Sequence, residues 1–455
     1  MSAPLVDPTT LGERGITGPD GKTSFSSEHL HASVVDPQMD SMRLLSETTM
    51  TFPDAISFSN GAPFDGTHDV TKLAGHLERY LTHLRESGVP EQKISRLLYQ
   101  YGPVNGFIQG EVARNLKQDE GIDVDPASIM ITQGAQEAMV IALRALFSSP
   151  DQVLLTVSPA YVGIVGAAKT LGIPLRGVLE GPDGLEPDAV AEAVRAVRAD
   201  GKQPVALYLV PDFSNPSGTS LPLAARRELL ALAAREELIL LEDNPYRLFG
   251  RLGTELPTLK ALDETRNVIY LGSYAKTAFP GARVGYLIAD QPVAGPGGGE
   301  RPLAAELSKT KSFLTVGTSS LAQAVIGGIL VAADYDLRSA SRPTAEVYQE
   351  RLEAVLAALE EHFPPADHAE HGVSWNVPGG GFFLMLSVGF DADLAAMERS
   401  ARDYGVSWAP MTMFYVDGGG DRVIRLGFSN LPVPDIREGV ARLARFIKDT
   451  PRTDR

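Results

Sequence analysis

The sequence lacks residue types on which several classes of protein depend. Its 455 residues include no cysteine, which excludes disulfides, zinc–thiolate sites and thiol catalysis. No apolar run approaches the roughly 20 residues of a membrane-spanning helix, and residues 1–30 lack the apolar centre of a secretory signal. Basic residues are outnumbered, and the formal net charge is −16, opposite to that of nucleic-acid-binding or anionic-membrane-binding surfaces. We therefore expect a cytoplasmic protein with no nucleic-acid partner, no membrane contact and no metal site.

What the chain does contain is apolar sequence, 44% of its residues, arranged as short runs between helical segments. One helix begins near Pro187 and repeats valine at positions 190, 194 and 197. The apolar runs lie at residues 153–157, 205–210, 238–241 and 268–271. Continuous apolar runs separated by helices indicate strands that are buried on both faces. The pattern predicts an α/β fold with a mainly parallel sheet covered by helices.

The character of the sequence changes after a Pro- and Gly-rich loop at residues 291–302. We expect it to be a surface loop, and the alternative is a flexible lid. A helical stretch from about residue 304 to 359 is predicted to be interrupted near residues 316–318 and at Pro343. Short strand signals and a final helix near residues 436–446 follow, which is typical of a smaller α+β domain. The predicted division is an N-terminal arm (1–45), a large domain (76–325) and a small domain (46–75 with 326–455).

A lysine follows the last apolar run of the predicted sheet. Ser273-Tyr274-Ala275-Lys276 begins after one intervening glycine, and Arg283 lies seven residues beyond Lys276. Lysine is rarely buried without a reason, and an amine in a dry pocket loses its proton readily and can form a Schiff base with a carbonyl compound. Ser273 and Arg283 are suited to hold an anionic group on that compound, so Lys276 is the candidate catalytic residue.

Other polar residues also follow predicted strands, where ligands bind in open α/β sheets. They are Asn215, in Asn-Pro-Ser-Gly, and Asp243, in Glu-Asp-Asn-Pro-Tyr. Small residues near Ala135 open a helix and would let a phosphate approach free backbone N–H groups. Each signal alone has an ordinary alternative: a turn for Asn215, a cap or solvated turn for Asp243, a common helix start for Ala135, and a core aromatic for Tyr161.

The order and spacing of these residues resemble the pyridoxal-phosphate-dependent aminotransferases of fold type I. The motifs that carry the likeness are Asn215-Pro-Ser-Gly, Asp243-x-x-Tyr246, Ser273-x-x-Lys276, Arg283 and a late Arg425. The sequence is most similar to the class I/II branch, which contains 2-aminoadipate, kynurenine and aromatic aminotransferases. The likeness extends from about residue 41 to the C-terminus.

The resemblance implies pyridoxal 5'-phosphate as cofactor and a role for each matching residue. Lys276 would form the Schiff base and then move a proton between the substrate Cα and the cofactor C4′. Asp243 would pair with the ring nitrogen. The remaining cofactor contacts implied are Asn215 and Tyr246 at the phenolic oxygen, Tyr161 on the ring face, and Ala135, Gln136, Ser273 and Arg283 at the phosphate.

The resemblance also implies a homodimer and a substrate clamp. Tyr101 matches a tyrosine that reaches the phosphate of the neighbouring subunit. Arg425 would bind the substrate carboxylate. The alternative interpretation of Arg425 is a surface arginine on an edge strand. Gly61 and Asn215 are the other predicted substrate contacts.

Two enzyme hypotheses remain open, because the cofactor contacts are common to both. The first is an aminotransferase that exchanges an amino group between an amino acid and a 2-oxo acid. The second is an enzyme of the same fold that catalyses elimination, replacement, oxidation or cyclisation of an amino acid, as in natural-product biosynthesis. A ligand-sensing module attached to a DNA-binding domain is disfavoured by the short, non-basic N-terminal segment. The family's Pro-Gly pair is replaced by Pro410-Met411, and no second basic residue for an acidic substrate side chain stands out.

Overall fold

The computed structural model describes residues 25, 27–67, 69–181, 184–251, 253–295 and 299–453, so residues 1–24 of the predicted arm lie outside it. The strands, in chain order, are β1 (Ile56–Ser57), β2 (Ile129–Thr132), β3 (Gln152–Ser158), β4 (Leu175–Leu179), β5 (Gln203–Leu209), β6 (Ile239–Asp243), β7 (Val268–Ser273), β8 (Gly285–Ile288), β9 (Pro292–Ala294), β10 (Glu300–Pro302), β11 (Ser374–Trp375), β12 (Phe383–Ser387), β13 (Val406–Ser407), β14 (Ala409–Pro410) and β15 (Val423–Gly427).

Helices alternate with strands from β2 to β7. The helices, in chain order, are α1 (Ala32–Val35), α2 (Ser41–Thr51), α3 (Lys72–Glu86), α4 (Glu91–Tyr99), α5 (Gln109–Glu120), α6 (Gly134–Leu146), α7 (Val162–Thr170), α8 (Pro187–Ala199), α9 (Leu223–Glu236), α10 (Leu259–Leu262), α11 (Leu303–Leu314), α12 (Ser320–Ala332), α13 (Leu337–His362), α14 (Pro365–His371), α15 (Leu394–Arg399) and α16 (Val433–Asp449).

A seven-stranded sheet organises the larger part of the fold, in the order β2-β8-β7-β6-β5-β3-β4. The strands from β7 to β4 pair in parallel, and β8 is antiparallel to both of its neighbours. The four predicted apolar runs form β3, β5, β6 and β7, which are adjacent in this sheet. Their carboxyl ends therefore meet at one edge, where Asp243 and Ser273 end β6 and β7.

Helices cover both faces of this sheet, as the apolar runs predict. On one face α6 and α7 pack against Tyr208 and Leu241. On the other face, α8 and α9 bury Val190, Val194 and Leu229 against Leu207 and Leu240. Burial of each large apolar side chain stabilises the fold by roughly 1.5–3 kcal/mol. The observed architecture is a mainly parallel sheet covered by helices, which confirms the predicted fold class.

A second core belongs to the C-terminal part of the chain. β11, β12, β15 and β14 form an antiparallel sheet in that order, in which Met385 lies opposite Arg425. β1 and β13 pair in parallel beside it. The core packs Trp408 and Ile424 against Val355 of α13 and Val440 of α16.

Two details of the sequence prediction are wrong. The helix α13 runs through Pro343, because the proline lies near its beginning while the buried residues Tyr348, Leu352 and Val355 hold the longer part against the fold. The stretch is interrupted between α11 and α12, as predicted near residues 316–318, and again between α12 and α13. The 291–302 segment, expected to be a loop, contains the antiparallel pair β9 and β10.

Within the described residues, no single helix is long and apolar enough to cross a membrane. Only α12 and α13 taken together meet those criteria, and they are bent by 92° relative to each other.

Candidate active site

A cavity of about 440 Å³ lies between the carboxyl edge of the large sheet and strands β12 and β15. Tyr101 is the one predicted site residue that does not line it. The predicted residues that do are Gly61, Ala135, Gln136, Tyr161, Asn215, Asp243, Tyr246, Ser273, Lys276, Arg283 and Arg425. A larger cavity of about 1050 Å³ nearby is lined by none of them, so the smaller one is the candidate site.

Lys276 lies just beyond β7, and its amine points to the N-terminal segment of the chain. The Nζ atom donates a hydrogen bond of 3.0 Å to the carbonyl oxygen of Gly61. Burial, together with the positive charges of Arg283 and Arg425, lowers the pKa of Lys276 from its ordinary 10.5 to about 8. The amine is therefore far closer to its neutral, nucleophilic form at neutral pH than an ordinary lysine is.

Asp243 ends β6 and is 3% exposed. Its Oδ2 atom accepts a hydrogen bond of 2.6 Å from the hydroxyl of Tyr208, whereas its buried Oδ1 atom has no partner within the described residues. Burial raises the pKa of Asp243 to about 7, against the opposing effect of the Tyr208 hydrogen bond. An unpaired buried carboxylate oxygen costs about 1–3 kcal/mol or more, so the cavity offers this oxygen to a hydrogen-bond donor of a bound molecule.

Arg425 projects from β15 and is 2% exposed. It donates hydrogen bonds of 2.8 Å to Asn215 Oδ1 and 2.6 Å to the Ser59 carbonyl oxygen, and it lies between the rings of Phe383 and Phe414, 4.4 and 4.8 Å from their centroids. Burial lowers its pKa to about 10. No carboxylate pairs with Arg425 among the described residues, so a buried guanidinium faces the cavity without a counter-ion.

The start of α6 forms the third corner of the cavity. Gly134 has a φ of +73°, and a Cβ atom placed there would lie 2.6 Å from Arg283 Nη2. Arg283 itself adopts a φ of +51°, and it pairs with no carboxylate in the part of the chain that the structure describes. Ala135 and Gln136 follow Gly134 in the first turn of α6, where backbone N–H groups and the helix dipole attract anions.

Two aromatic side chains complete the walls. Tyr161 precedes α7, and its hydroxyl receives a 3.4 Å hydrogen bond from Gln136 Nε2; burial raises its pKa to about 12. The ring centroid of Tyr246 lies 5.9 Å from Lys276 Nζ. Burial raises the pKa of Tyr246, and a hydrogen bond with Asn215 offsets only part of that increase.

These features fit pyridoxal phosphate. Lys276, Arg283 and Arg425 give the described cavity lining three cations against one carboxylate, Asp243, which suits a phosphate together with a substrate carboxylate. The glycine at the start of α6 lets the Arg283 guanidinium lie close to the helix start, and the unpaired Oδ1 of Asp243 can accept a hydrogen bond from a protonated ring nitrogen.

Tyr101 lies outside the cavity and is 90% exposed. It belongs to an apolar patch formed by Tyr99, Tyr101, Phe313, Leu314 and Val316, each at least half exposed. The two chain segments that carry this patch, near residues 99–103 and 313–317, lie next to each other. A Cβ atom placed at Gly317 would be 3.8 Å from the carbonyl oxygen of Pro103.

Glu137 connects the apolar patch to the cavity. Its Oε2 atom accepts hydrogen bonds of 2.7 Å from both Gln133 N and Lys311 Nζ. Its Oε1 atom accepts one of 2.5 Å from Thr315 Oγ1. One carboxylate thus holds the first turn of α6 and the 311–315 segment together.

Sequence reasoning missed several residues of the cavity and its surroundings. Met42, Ser59, Phe383 and Phe414 line it, and Tyr208 supports Asp243 from behind. Tyr208 is a polar aromatic within an otherwise aliphatic run, which was a usable signal. The others come from distant parts of the chain and had none.

Comparisons with known proteins agree with this geometry. The sequence matches the family model described as aminotransferase class I and II over residues 60–443. It is 42% identical over 426 residues to (S)-3,5-dihydroxyphenylglycine transaminase of Amycolatopsis orientalis, covering 93% of this chain and 95% of the relative. It is 30% identical to 2-aminoadipate transaminase of Thermus thermophilus, covering 87% and 91%. Among solved structures, kynurenine aminotransferase of Pyrococcus horikoshii superposes with a TM-score of 0.78 at 27% identity, covering 93% and 97%.

Proposed function

The chain belongs to the class I and II aminotransferases, and we propose that the amino acid it acts on has an uncharged aromatic side chain. As a member of this family it is a pyridoxal-phosphate-dependent enzyme that moves an amino group between an amino acid and a 2-oxo acid. The residue roles, the substrate class and the assembly that follow are parts of the same proposal.

The observation that carries the proposal is Arg425, a buried guanidinium without a carboxylate partner in the described chain, across the cavity from the amine of Lys276. When bound, the cofactor supplies an electron-accepting ring that stabilises negative charge at the substrate Cα. Lys276 would hold the cofactor through Nζ and then move a proton between the substrate Cα and the cofactor C4′. Arg425 binds the α-carboxylate through its planar fork, and Gly61 approaches the same group through its backbone.

The other lining residues hold the cofactor. Asp243 accepts a hydrogen bond from the protonated ring nitrogen at its unpaired Oδ1. Tyr161 packs on the ring face. The phenolic oxygen receives hydrogen bonds from Tyr246 and Asn215, and Asn215 also orients Arg425 toward substrate. The phosphate contacts are Ala135, Gln136, Ser273 and Arg283.

The substrate class follows from the cations of the cavity. In this proposal Arg283 binds the phosphate, Arg425 binds the α-carboxylate and Lys276 binds the cofactor. No further cation is present among the described lining residues to pair with an acidic substrate side chain. Phe383 and Phe414 flank Arg425, and the apolar side chain of Met42 also lines the cavity. An aromatic ring suits such walls, and the relative that is 42% identical is named for dihydroxyphenylglycine.

A second copy of the chain completes the site in this proposal. The apolar patch contains Phe313, which is 94% exposed, and large exposed apolar patches mark association surfaces. Pairing of two copies there would bring Tyr101 to the partner's phosphate. Phe313→Asp should shift the enzyme toward monomer in sedimentation velocity. Val377→Asp, at an apolar residue that is 72% exposed and lies beside the larger cavity, should not.

The division into an arm (1–45), a large domain (76–325) and a small domain (46–75 with 326–455) stays a prediction, and the presence of two separate hydrophobic cores supports it. The cytoplasmic location also stays a prediction.

Spectroscopy of the purified enzyme with its cofactor tests the function. Phenylalanine, tyrosine and 4-hydroxyphenylglycine are each added alone, with glutamate and 2-aminoadipate as dicarboxylic comparisons. We expect the aromatic amino acids to convert the cofactor absorption to the pyridoxamine form, and an aromatic 2-oxo acid to reverse it. Conversion by the dicarboxylic amino acids alone would refute the substrate class. Release of ammonia without the pyridoxamine form would favour elimination or another reaction of this fold.

A further inference from the structure

The support of Asp243 by Tyr208 is a feature that the roles above do not use. Tyr208 lies on β5 opposite Leu241 of β6, and Asp243 follows two residues later on the same face of the sheet. The tyrosine is 1% exposed, and its hydroxyl donates the 2.6 Å hydrogen bond to Asp243 Oδ2.

This hydrogen bond has no competitor. Among the described residues, Asp243 forms no ion pair and its Oδ1 has no hydrogen-bond partner. The charge of Asp243 also raises the pKa of the phenols of Tyr161 and Tyr246. Both phenols therefore stay neutral at physiological pH. A single neutral donor therefore supports a carboxylate that burial disfavours as an anion.

We propose that Tyr208 is a positioning residue that keeps Asp243 ionised and aims its Oδ1 atom at the cofactor's ring nitrogen. This inference rests on the proposed role of Asp243. A hydroxyl that donates to a carboxylate favours its charged form, and anchoring Oδ2 fixes which oxygen faces the cavity. Without the hydroxyl, the carboxyl group competes more strongly for the proton that it shares with the ring nitrogen.

The direction of the electrostatic effects agrees with this account. Burial raises the pKa of Asp243 to about 7, and the Tyr208 hydrogen bond is the influence that lowers it. Removing the hydroxyl should move the proton from the ring nitrogen toward the carboxylate.

The chain contains a matched control. Tyr270 lies on β7, is fully buried, and donates a 2.6 Å hydrogen bond to Glu120 Oε2. Glu120 does not line the site cavity. Tyr208→Phe and Tyr270→Phe therefore remove the same kind of hydrogen bond from the same sheet, and only the first one touches Asp243.

The experiment uses enzyme loaded with pyridoxal phosphate that carries ¹⁵N in the ring. We expect the ¹⁵N resonance of Tyr208→Phe to move toward the value of an unprotonated ring, and the cofactor dissociation constant to rise about tenfold, as loss of one hydrogen bond to a charged group implies. Tyr270→Phe should leave both quantities within about twofold of wild type while losing similar thermal stability.

The inference is overturned if Tyr208→Phe keeps the wild-type ¹⁵N shift and cofactor affinity, or if Tyr270→Phe changes them equally. If Tyr208→Phe does not fold, 3-fluorotyrosine at position 208, an isosteric and stronger donor, should shift the resonance in the opposite direction, and no shift would overturn the inference. An unprotonated ring nitrogen in the wild-type enzyme would instead overturn the proposed role of Asp243 itself.

Discussion

Replacement of Arg425 by lysine tests whether this side chain recognises a carboxylate. Arg425 is held by Asn215 Oδ1 at 2.8 Å and by the Ser59 carbonyl at 2.6 Å, and its remaining N–H groups are available for a bidentate contact. A lysine ammonium is a point charge on a flexible stem, so it cannot keep both anchors and present a planar fork.

The size of the effect follows from burial. Truncation of one partner in a desolvated charge pair costs 2–5 kcal/mol or more, and lysine retains the charge, so we expect a loss of about 2–4 kcal/mol in transition-state stabilisation. This corresponds to a decrease of about 30- to 1,000-fold in kcat/KM for an aromatic amino acid.

The assay compares phenylalanine with 2-phenylethylamine, which lacks the carboxylate, in single-turnover conversion of the cofactor. Arg425→Lys should slow the reaction with phenylalanine and leave that with the amine within about threefold, because only the first substrate needs the guanidinium. Arg351→Lys is the control, since Arg351 is also buried, lies 4.2 Å from the ring of Phe64 and does not line the cavity. An equal loss with both substrates would refute recognition of the carboxylate by Arg425.

Three further measurements probe other parts of the site. Gly134→Ala should weaken cofactor binding by about tenfold or more in titrations of cofactor fluorescence, since a Cβ atom there displaces Arg283. Gly88 has a similar φ of +76° and open space around it, so Gly88→Ala should introduce only the backbone strain. Equal effects of the two substitutions on cofactor binding would contradict the role of Arg283. The rate at which the cofactor-free enzyme couples to pyridoxal phosphate should rise with pH to a midpoint near 8, because the neutral form of Lys276 predominates above its lowered pKa; a midpoint near 10.5 would contradict the effect of burial. Mixing Lys276→Ala with Tyr101→Ala enzyme should restore activity, because a mixed dimer contains one site with both residues intact, and no recovery on mixing would argue against Tyr101 acting across the interface.

The sequence predicts well those parts of the molecule that depend on local pattern. The four apolar runs became adjacent strands of one sheet, and the polar residues that follow them met at its carboxyl edge because parallel strands all end there. Lys276, Asp243 and Asn215 were therefore brought together by topology, as expected.

The parts that the sequence did not predict depend on long-range packing. Met42 enters the cavity from a segment more than 300 residues away from Phe383 and Phe414, and no local period marks any of the three. Pro343 was assigned to a break because proline disfavours helix interiors, but tertiary packing of α13 outweighs one missing hydrogen bond. The exposed position of Tyr101 was implied only by resemblance.

Glu137 has a thermodynamic consequence. It fastens the first turn of α6, at the predicted phosphate site, to the 311–315 segment of the apolar patch. In a dimer built on that patch, ordering of one surface favours ordering of the other, and a coupling free energy between two binding events is reciprocal. The apparent affinity for cofactor should therefore fall on dilution below the dissociation constant of the dimer, and saturating cofactor should hold the dimer together at lower protein concentration.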